Sequence, residues 1–126
     1  MNVIGIIQAR LTSKRFPGKV LKKICNIPML EILIKRISFS KKLDKIIVVI
    51  PNSKKNKKLK IFLEKKKITY YQGDEANVLQ RYYFAAEKHS ADIIVRITAD
   101  NPLVDPEIID KTINKIKKKN IDYIIY

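Results

Sequence analysis

Arg10, Ser13, Lys14, Arg15 and Lys19 crowd into the segment that follows a short apolar run, with Thr12, Pro17 and Gly18 among them. Arginine presents a planar fork that matches phosphate oxygens, and lysine a compact mobile charge. A loop that gathers four such cations at the mouth of a buried strand is read as a binding loop for a polyphosphate. A second polar segment, Arg96-Ile97-Thr98-Ala99-Asp100-Asn101-Pro102, contributes a carboxylate at Asp100. A cationic loop facing one carboxylate suits metal-dependent chemistry on a nucleoside triphosphate. There Asp100 is expected to hold Mg²⁺, which keeps waters and bridges phosphate oxygens, while the cations neutralise charge developing on them.

Two common phosphate motifs are missing. Gly18-Lys19 lacks a glycine five residues earlier, and Val20 stands where a Walker loop needs Ser or Thr. Glycine occurs only at positions 5, 18 and 73, so no dinucleotide fingerprint exists either. The phosphates must therefore be held mainly by side chains, helped by backbone donors of the loop.

Elements that could place these groups follow from the hydrophobic pattern. Asn2–Gln8, Lys45–Ile50, Ile68–Tyr71, Asp92–Ile97 and Ile121–Ile125 read as β-branched strands. Helical spacing lies between them: Met29/Leu30, Leu33/Ile34 and Ile37 after Pro28; then Leu59, Phe62 and Leu63. A third stripe is Val78, Leu79, Tyr82, Tyr83 and Ala86, and a fourth is Ile109, Ile113 and Ile116. Asp105-Pro106-Glu107 opens the fourth helix with an N-cap, an N1 proline and an early acid. Alternating strands and helices imply an α/β fold, a mostly parallel sheet with helices on both faces and right-handed crossovers. With the first strand central, the order is 3-2-1-4. The switch point then lies between strands one and four, where ligands of such sheets bind beyond the strands' carboxyl ends. That rule brings the loop of Gln8, Arg10, Ser13, Arg15 and Lys19 opposite Asp100.

Size and composition bound the rest. The chain of 126 residues is 46% hydrophobic and 31% charged, which fits one globular domain over residues 1–126. Its longest apolar run, Ile46 to Ile50, is far short of the ~20 residues that span a bilayer. No export signal is recognised, and one cysteine excludes an internal disulfide framework, so the cytoplasm is the expected compartment. Lysine supplies 22 of the 27 cations behind the net charge of +15. The lysines run along the outer faces of separate helices, as an A+T-rich genome would impose. The alternative, a basic surface for polyanions, lacks any nucleic-acid-reading signature, and neither a specific nucleic acid nor a membrane is an expected partner. Cys25, in an apolar run, is read as core, and His89 as the end of the third helix, where a partly charged imidazole suits the dipole.

Ile7-Gln8-Ala9-Arg10 with Ser13, Arg15 and Pro17-Gly18-Lys19-Val20-Leu21, then Ile27-Pro28-Met29-Leu30, resembles the opening of the sugar-activating cytidylyltransferases. The nearest branch is that of spore-coat polysaccharide biosynthesis protein F. Gly73-Asp74, Asn77-Val78-Leu79, Arg81-Tyr82-Tyr83 and Val95 through Pro102 continue the likeness in order. The resemblance implies a Rossmann-like sheet and transfer of CMP from CTP to a sugar acid, with release of pyrophosphate. It also implies that Arg10 and Lys19 bind the triphosphate and act in catalysis, and that Ser13 and Arg15 hold phosphate. Gln8 and Ala9 would meet the cytosine, Arg81 would approach the nucleotide or order its loop, and Asp100 would bind Mg²⁺. Thr12 and Lys14 depart from the pattern, which has a glycine and a small hydroxyl there. Members of the family are about twice as long, their second half resembling the source of a further metal carboxylate, the sugar pocket and a dimerisation segment. The chain thus reads as the N-terminal, nucleotide-binding half, with a homodimer or a complementing second-half chain as its protein partner. A catalytically silent nucleotide-binding or assembly module is the alternative function.

Overall fold

In the computed structural model, which describes residues 1–125, three strands precede the first of four α-helices, and three further strands then alternate with the remaining helices. Strands β1 (Val3–Gln8), β4 (Lys45–Pro51), β5 (Tyr70–Gly73) and β6 (Ile93–Thr98) form one parallel sheet of order β5-β4-β1-β6. This is the expected 3-2-1-4 arrangement. Strands β2 (Lys23–Ile24) and β3 (Ile27–Pro28) make a separate small hairpin leading into helix α1 (Met29–Ile37). Helices α2 (Lys57–Lys65), α3 (Val78–Lys88) and α4 (Pro106–Lys119) follow the later strands. No helix among the described residues is long and apolar enough to cross a membrane.

Strand periodicity divides the core into two layers. Val3, Ile7, Val48 and Ile50 pack with Leu30, Leu33, Ile37, Leu59, Leu63, Ile109 and Ile113, so α1, α2 and α4 share one face. Ile4, Ile6, Ile47 and Val49 meet Tyr82, Ala85 and Ala86 of α3 on the other. Asp105 caps α4 as expected, its Oδ1 accepting from Glu107 N at 2.9 Å.

Four expectations are corrected. No strand forms over residues 121–125, and Tyr126 lies outside the described residues. Asn120 turns the chain left-handed (φ 48°) after α4, and the segment lies along a groove without making ladder bonds to β6. In α3, Leu79 and Tyr83 face solvent and Ala85 takes the inward place, because positions 78, 82, 85 and 86 fall on one side of a 3.6-residue helix. Cys25 is exposed, not core: Cys25 and Asn26 (φ 50° and 66°) are the central pair of the β2–β3 turn, the backbone signature of a type I′ hairpin. His89 does sit at the end of α3, but burial, then Lys45 and Lys88, lower its pKa and favour the neutral ring.

Candidate nucleotide-binding cleft

The loop after β1 is tied at both ends. Ala9 N donates to Val49 O at 3.0 Å, and Leu11 N donates to Asn56 Oδ1 at 2.8 Å. Gly18 N then returns to Leu11 O at 2.9 Å, closing the turn. Gly18 stands at φ 71°, a conformation that costs glycine nothing, and it starts a single helical turn, residues 19–21. These constraints hold Lys19 on the inner side of the loop. Ser13 serves twice, lining the cleft while its Oγ accepts from Phe16 N at 3.4 Å.

β6 delivers the opposite rim. Its last residue, Thr98, lies beside Gln8 of β1 in the parallel register, and buried Ala99 turns the chain so that Asp100 points back. Asp100 Oδ2 is 3.9 Å from Lys19 Nζ, with side chains 59% and 37% exposed. The turn-forming bond here belongs to Asn101, whose Oδ1 accepts from Leu103 N at 3.2 Å, so the Asp100 carboxylate is not consumed as a cap.

Between the rims lies a cleft of about 510 Å³. Gln8, Arg10, Ser13, Arg15, Lys19 and Asp100 all line it, as expected. Four cations and one carboxylate leave it strongly positive, which favours a polyphosphate carrying a divalent metal. Two expected residues stand apart. Ala9 is buried in the core, its N–H committed to Val49, so its side chain does not reach the cleft. Arg81 is 1% exposed and lies behind the wall, where Nη1 donates to the carbonyls of Asp74 (2.5 Å) and Glu75 (3.0 Å). Of the two roles the resemblance allows Arg81, this geometry matches ordering of the loop. Burial is the main cause that lowers its pKa; the charge of Arg10 adds to it, while Tyr82, Asp74 and Glu75 pull the other way.

Thr12 and Lys14 of the loop, Thr98 and Ala99 of the opposite segment, and Val20 also line the cleft, together with Tyr82, which the sequence pattern marks only as part of the inner stripe of α3. Tyr82 stacks under the Arg96 guanidinium at 5.2 Å, and burial raises its pKa against the lowering effect of Arg96. Asn56 is buried; it accepts from Leu11 N and donates from Nδ2 to Ser53 Oγ at 2.7 Å. Nothing in Lys54-Lys55-Asn56-Lys57-Lys58 marks it out, since its partners come from the tertiary fold.

Among the described residues no cluster of three metal-ligating side chains forms, and Asp100 is the one carboxylate among the residues that line the cleft. Magnesium is commonly held by one or two carboxylates together with substrate phosphates, and a solvent-facing carboxylate beside a cationic loop fits that donor set.

The chain is similar in sequence to two longer proteins and in structure to a third. An uncharacterized protein of Methanocaldococcus jannaschii is 44% identical over 98% of this chain and 51% of its own length. The spore coat polysaccharide biosynthesis protein SpsF of Bacillus subtilis is 32% identical over 97% of this chain and 52% of its own. A cytidylyltransferase structure from Leptospira borgpetersenii superposes with a TM-score of 0.87 at 31% identity, covering 94% of this chain and 50% of that one. The chain thus spans about half the length of the relatives it matches. The cytidylyltransferase profile matches residues 4–125, and with the basic loop and Asp100 in one cleft, the chain belongs to the cytidylyltransferase family.

Proposed function

We propose that the cleft binds Mg·CTP and that the chain is the nucleotide-binding half of an enzyme that transfers CMP to a sugar acid for surface-polysaccharide synthesis. The observation that carries this reading is the approach of Lys19 to Asp100 across the switch point, inside a pocket shared with Arg10, Ser13 and Arg15. Lys19 and Arg10 bind the triphosphate and neutralise charge that grows on the α-phosphoryl oxygens and the departing pyrophosphate. Arg15 and Ser13 hold phosphate oxygens at the loop's outer side. Gln8, on the cleft floor, supplies a side-chain amide that can donate to and accept from a pyrimidine edge. Arg81 fixes the Asp74–Glu75 backbone from behind. Asp100 would hold Mg²⁺, which when bound draws the phosphate oxygens together and adds positive charge. The sugar hydroxyl oxygen then bonds to the α-phosphorus, its proton passing to solvent water, as the bond to the bridging oxygen breaks and that oxygen leaves with pyrophosphate.

The half-length match favours a second reading, a module that binds nucleotide without turnover. Calorimetric titration with Mg·CTP tests the shared premise: binding is expected, and it should be lost in Lys19→Ala and Asp100→Ala. Salt-sensitive binding indifferent to both substitutions would instead mark a general polyanion surface. Pyrophosphate release with a 2-keto sugar acid separates the enzyme from the silent module.

A further inference from the structure

Alternate residues of β6 face opposite sides of the sheet. Ile93, Val95 and Ile97 join the core on one side, while Ile94, Arg96 and Thr98 are exposed on the other. Thr98 lines the cleft, and Arg96 is the next residue back along the same row. Its guanidinium carbon lies 5.2 Å from the centre of the Tyr82 ring, and Tyr82, only 7% exposed, is itself a wall of the cleft. Two groups at this corner lack partners. Arg96 has no counter-charge, since the ion pairs among the described residues are Lys19–Asp100 and Lys66–Glu31. Tyr82 Oη is shielded from solvent and makes no hydrogen bond of proper geometry, although the guanidinium is near enough to act on its ionisation. Arginine cannot supply what is missing, because it only donates and the tyrosine proton needs an acceptor. Burial keeps that proton in place against the opposing effect of Arg96.

We propose that Arg96 and Tyr82 bind the carboxylate of the acceptor, the exposed Arg96 fork taking both oxygens and shifting towards them so that one also accepts from Tyr82 Oη. One carboxylate then meets both needs, a counter-charge for the guanidinium and an acceptor for the hydroxyl. The phosphates of a nucleotide have other partners, the four cations of the loop after β1, whereas Arg96 stands on the rim that β6 builds. Stacking on the ring restrains the fork, so less freedom is lost when a planar, two-oxygen anion docks. In the ring form of a 2-keto sugar acid the carboxyl shares a carbon with the anomeric hydroxyl. Holding the carboxylate therefore orients that hydroxyl, and an acid is selected over a neutral sugar. Arg96 and Tyr82 are on this account specificity-determining residues. The inference rests on the reading of the cleft as an Mg·CTP site for the nature of the acceptor, but the corner's preference for a carboxylate can be measured without nucleotide.

The test follows the Arg96 Nε–H and Tyr82 ring signals by nuclear magnetic resonance as 3-deoxy-manno-octulosonate or its methyl ester is added, with and without Mg·CTP. The acid should shift both signals and bind about tenfold or more tightly than the ester, as charge-assisted hydrogen bonds allow. Arg96→Gln should remove that preference while binding Mg·CTP as the parent does. Arg96→Lys keeps the charge without the fork and should recover only part of it. Tyr82→Phe keeps the ring and drops the hydroxyl, and should weaken the acid about threefold to tenfold and leave the ester unchanged. A preference that survives Arg96→Gln overturns the inference. So does a parent that binds the acid no better than the ester, or not at all, whether or not Mg·CTP binds. An Arg96-dependent preference in a chain that does not bind Mg·CTP would support the carboxylate site and sink the nucleotide reading instead.

Discussion

A Cβ on Gly73 would stand 2.6 Å from Arg81 Cγ and 3.1 Å from Tyr71 Cε1. The stem of a buried arginine therefore occupies the space that any other residue at position 73 would claim. Arg81 cannot swing aside freely, because its guanidinium is anchored on the Asp74 and Glu75 carbonyls. Gly73→Ala should cost about 1–3 kcal/mol by overpacking, read as a lowered urea midpoint with an unchanged slope. Arg81→Met in the same background should recover part of that loss. An alanine variant as stable as the parent would contradict the packing argument.

Lys19 and Asp100 are both partly exposed, and exposed ion pairs add little to folding. Lys19→Ala and Asp100→Ala should thus unfold at nearly the parent temperature while losing nucleotide affinity. Arg10→Ala or Lys19→Ala should remove ~2–4 kcal/mol of transition-state stabilisation in the completed enzyme, by analogy with other preorganised donors. Asp100→Asn should bind CTP almost equally with and without magnesium. A variant that binds as the parent does, with the same metal dependence, would remove Asp100 from the site.

Asn56 links the start of the cationic loop to the segment that opens α2. Its replacement by alanine leaves Leu11 N without its acceptor, a loss of about 1–3 kcal/mol. Beyond the stability change, Asn56→Ala should loosen residues 11–18 and weaken Mg·CTP binding without altering any cleft charge. Nuclear magnetic resonance order parameters of the loop, measured beside the affinity, would show whether both move together.

Acid should weaken the fold in two separable steps. Burial, then Lys45 and Lys88, depress the His89 pKa below its ordinary 6.5, so the unfolded chain takes that proton first as pH falls. The stability that neutral His89 contributes is complete above 6.5 and declines below it. At Asp110 burial acts to raise the pKa, but hydrogen bonds from Ser40 Oγ and the amides of Lys41 and Lys42, with the Lys42 charge, outweigh it and bring the pKa below 3.8. Its contribution is present above 3.8 and lost as pH drops through the folded value. His89→Gln should flatten the upper step and Asp110→Asn the lower, in denaturation midpoints followed from neutral to acid pH.

Local chemistry made much of this protein readable from its residues alone. The β-branched run of β1, the cap at Asp105 and the stripes of α1, α2 and α4 depend on neighbours a few positions away, and they form where the pattern puts them. The cationic loop and Asp100 were legible as chemistry, and the crossover rule for parallel sheets was enough to set them face to face. Contacts between distant segments decided the rest. Cys25 is apolar by its neighbours but exposed because a tight hairpin needs a positive φ there. Asn56 becomes a support of the cleft only when β1 and α2 meet, and Arg81 works from behind the wall because Gly73 leaves it room. Residues 121–125 have the composition of a strand, yet a strand exists only where a neighbour completes its hydrogen bonds, and among the described residues β6 pairs with β1 alone.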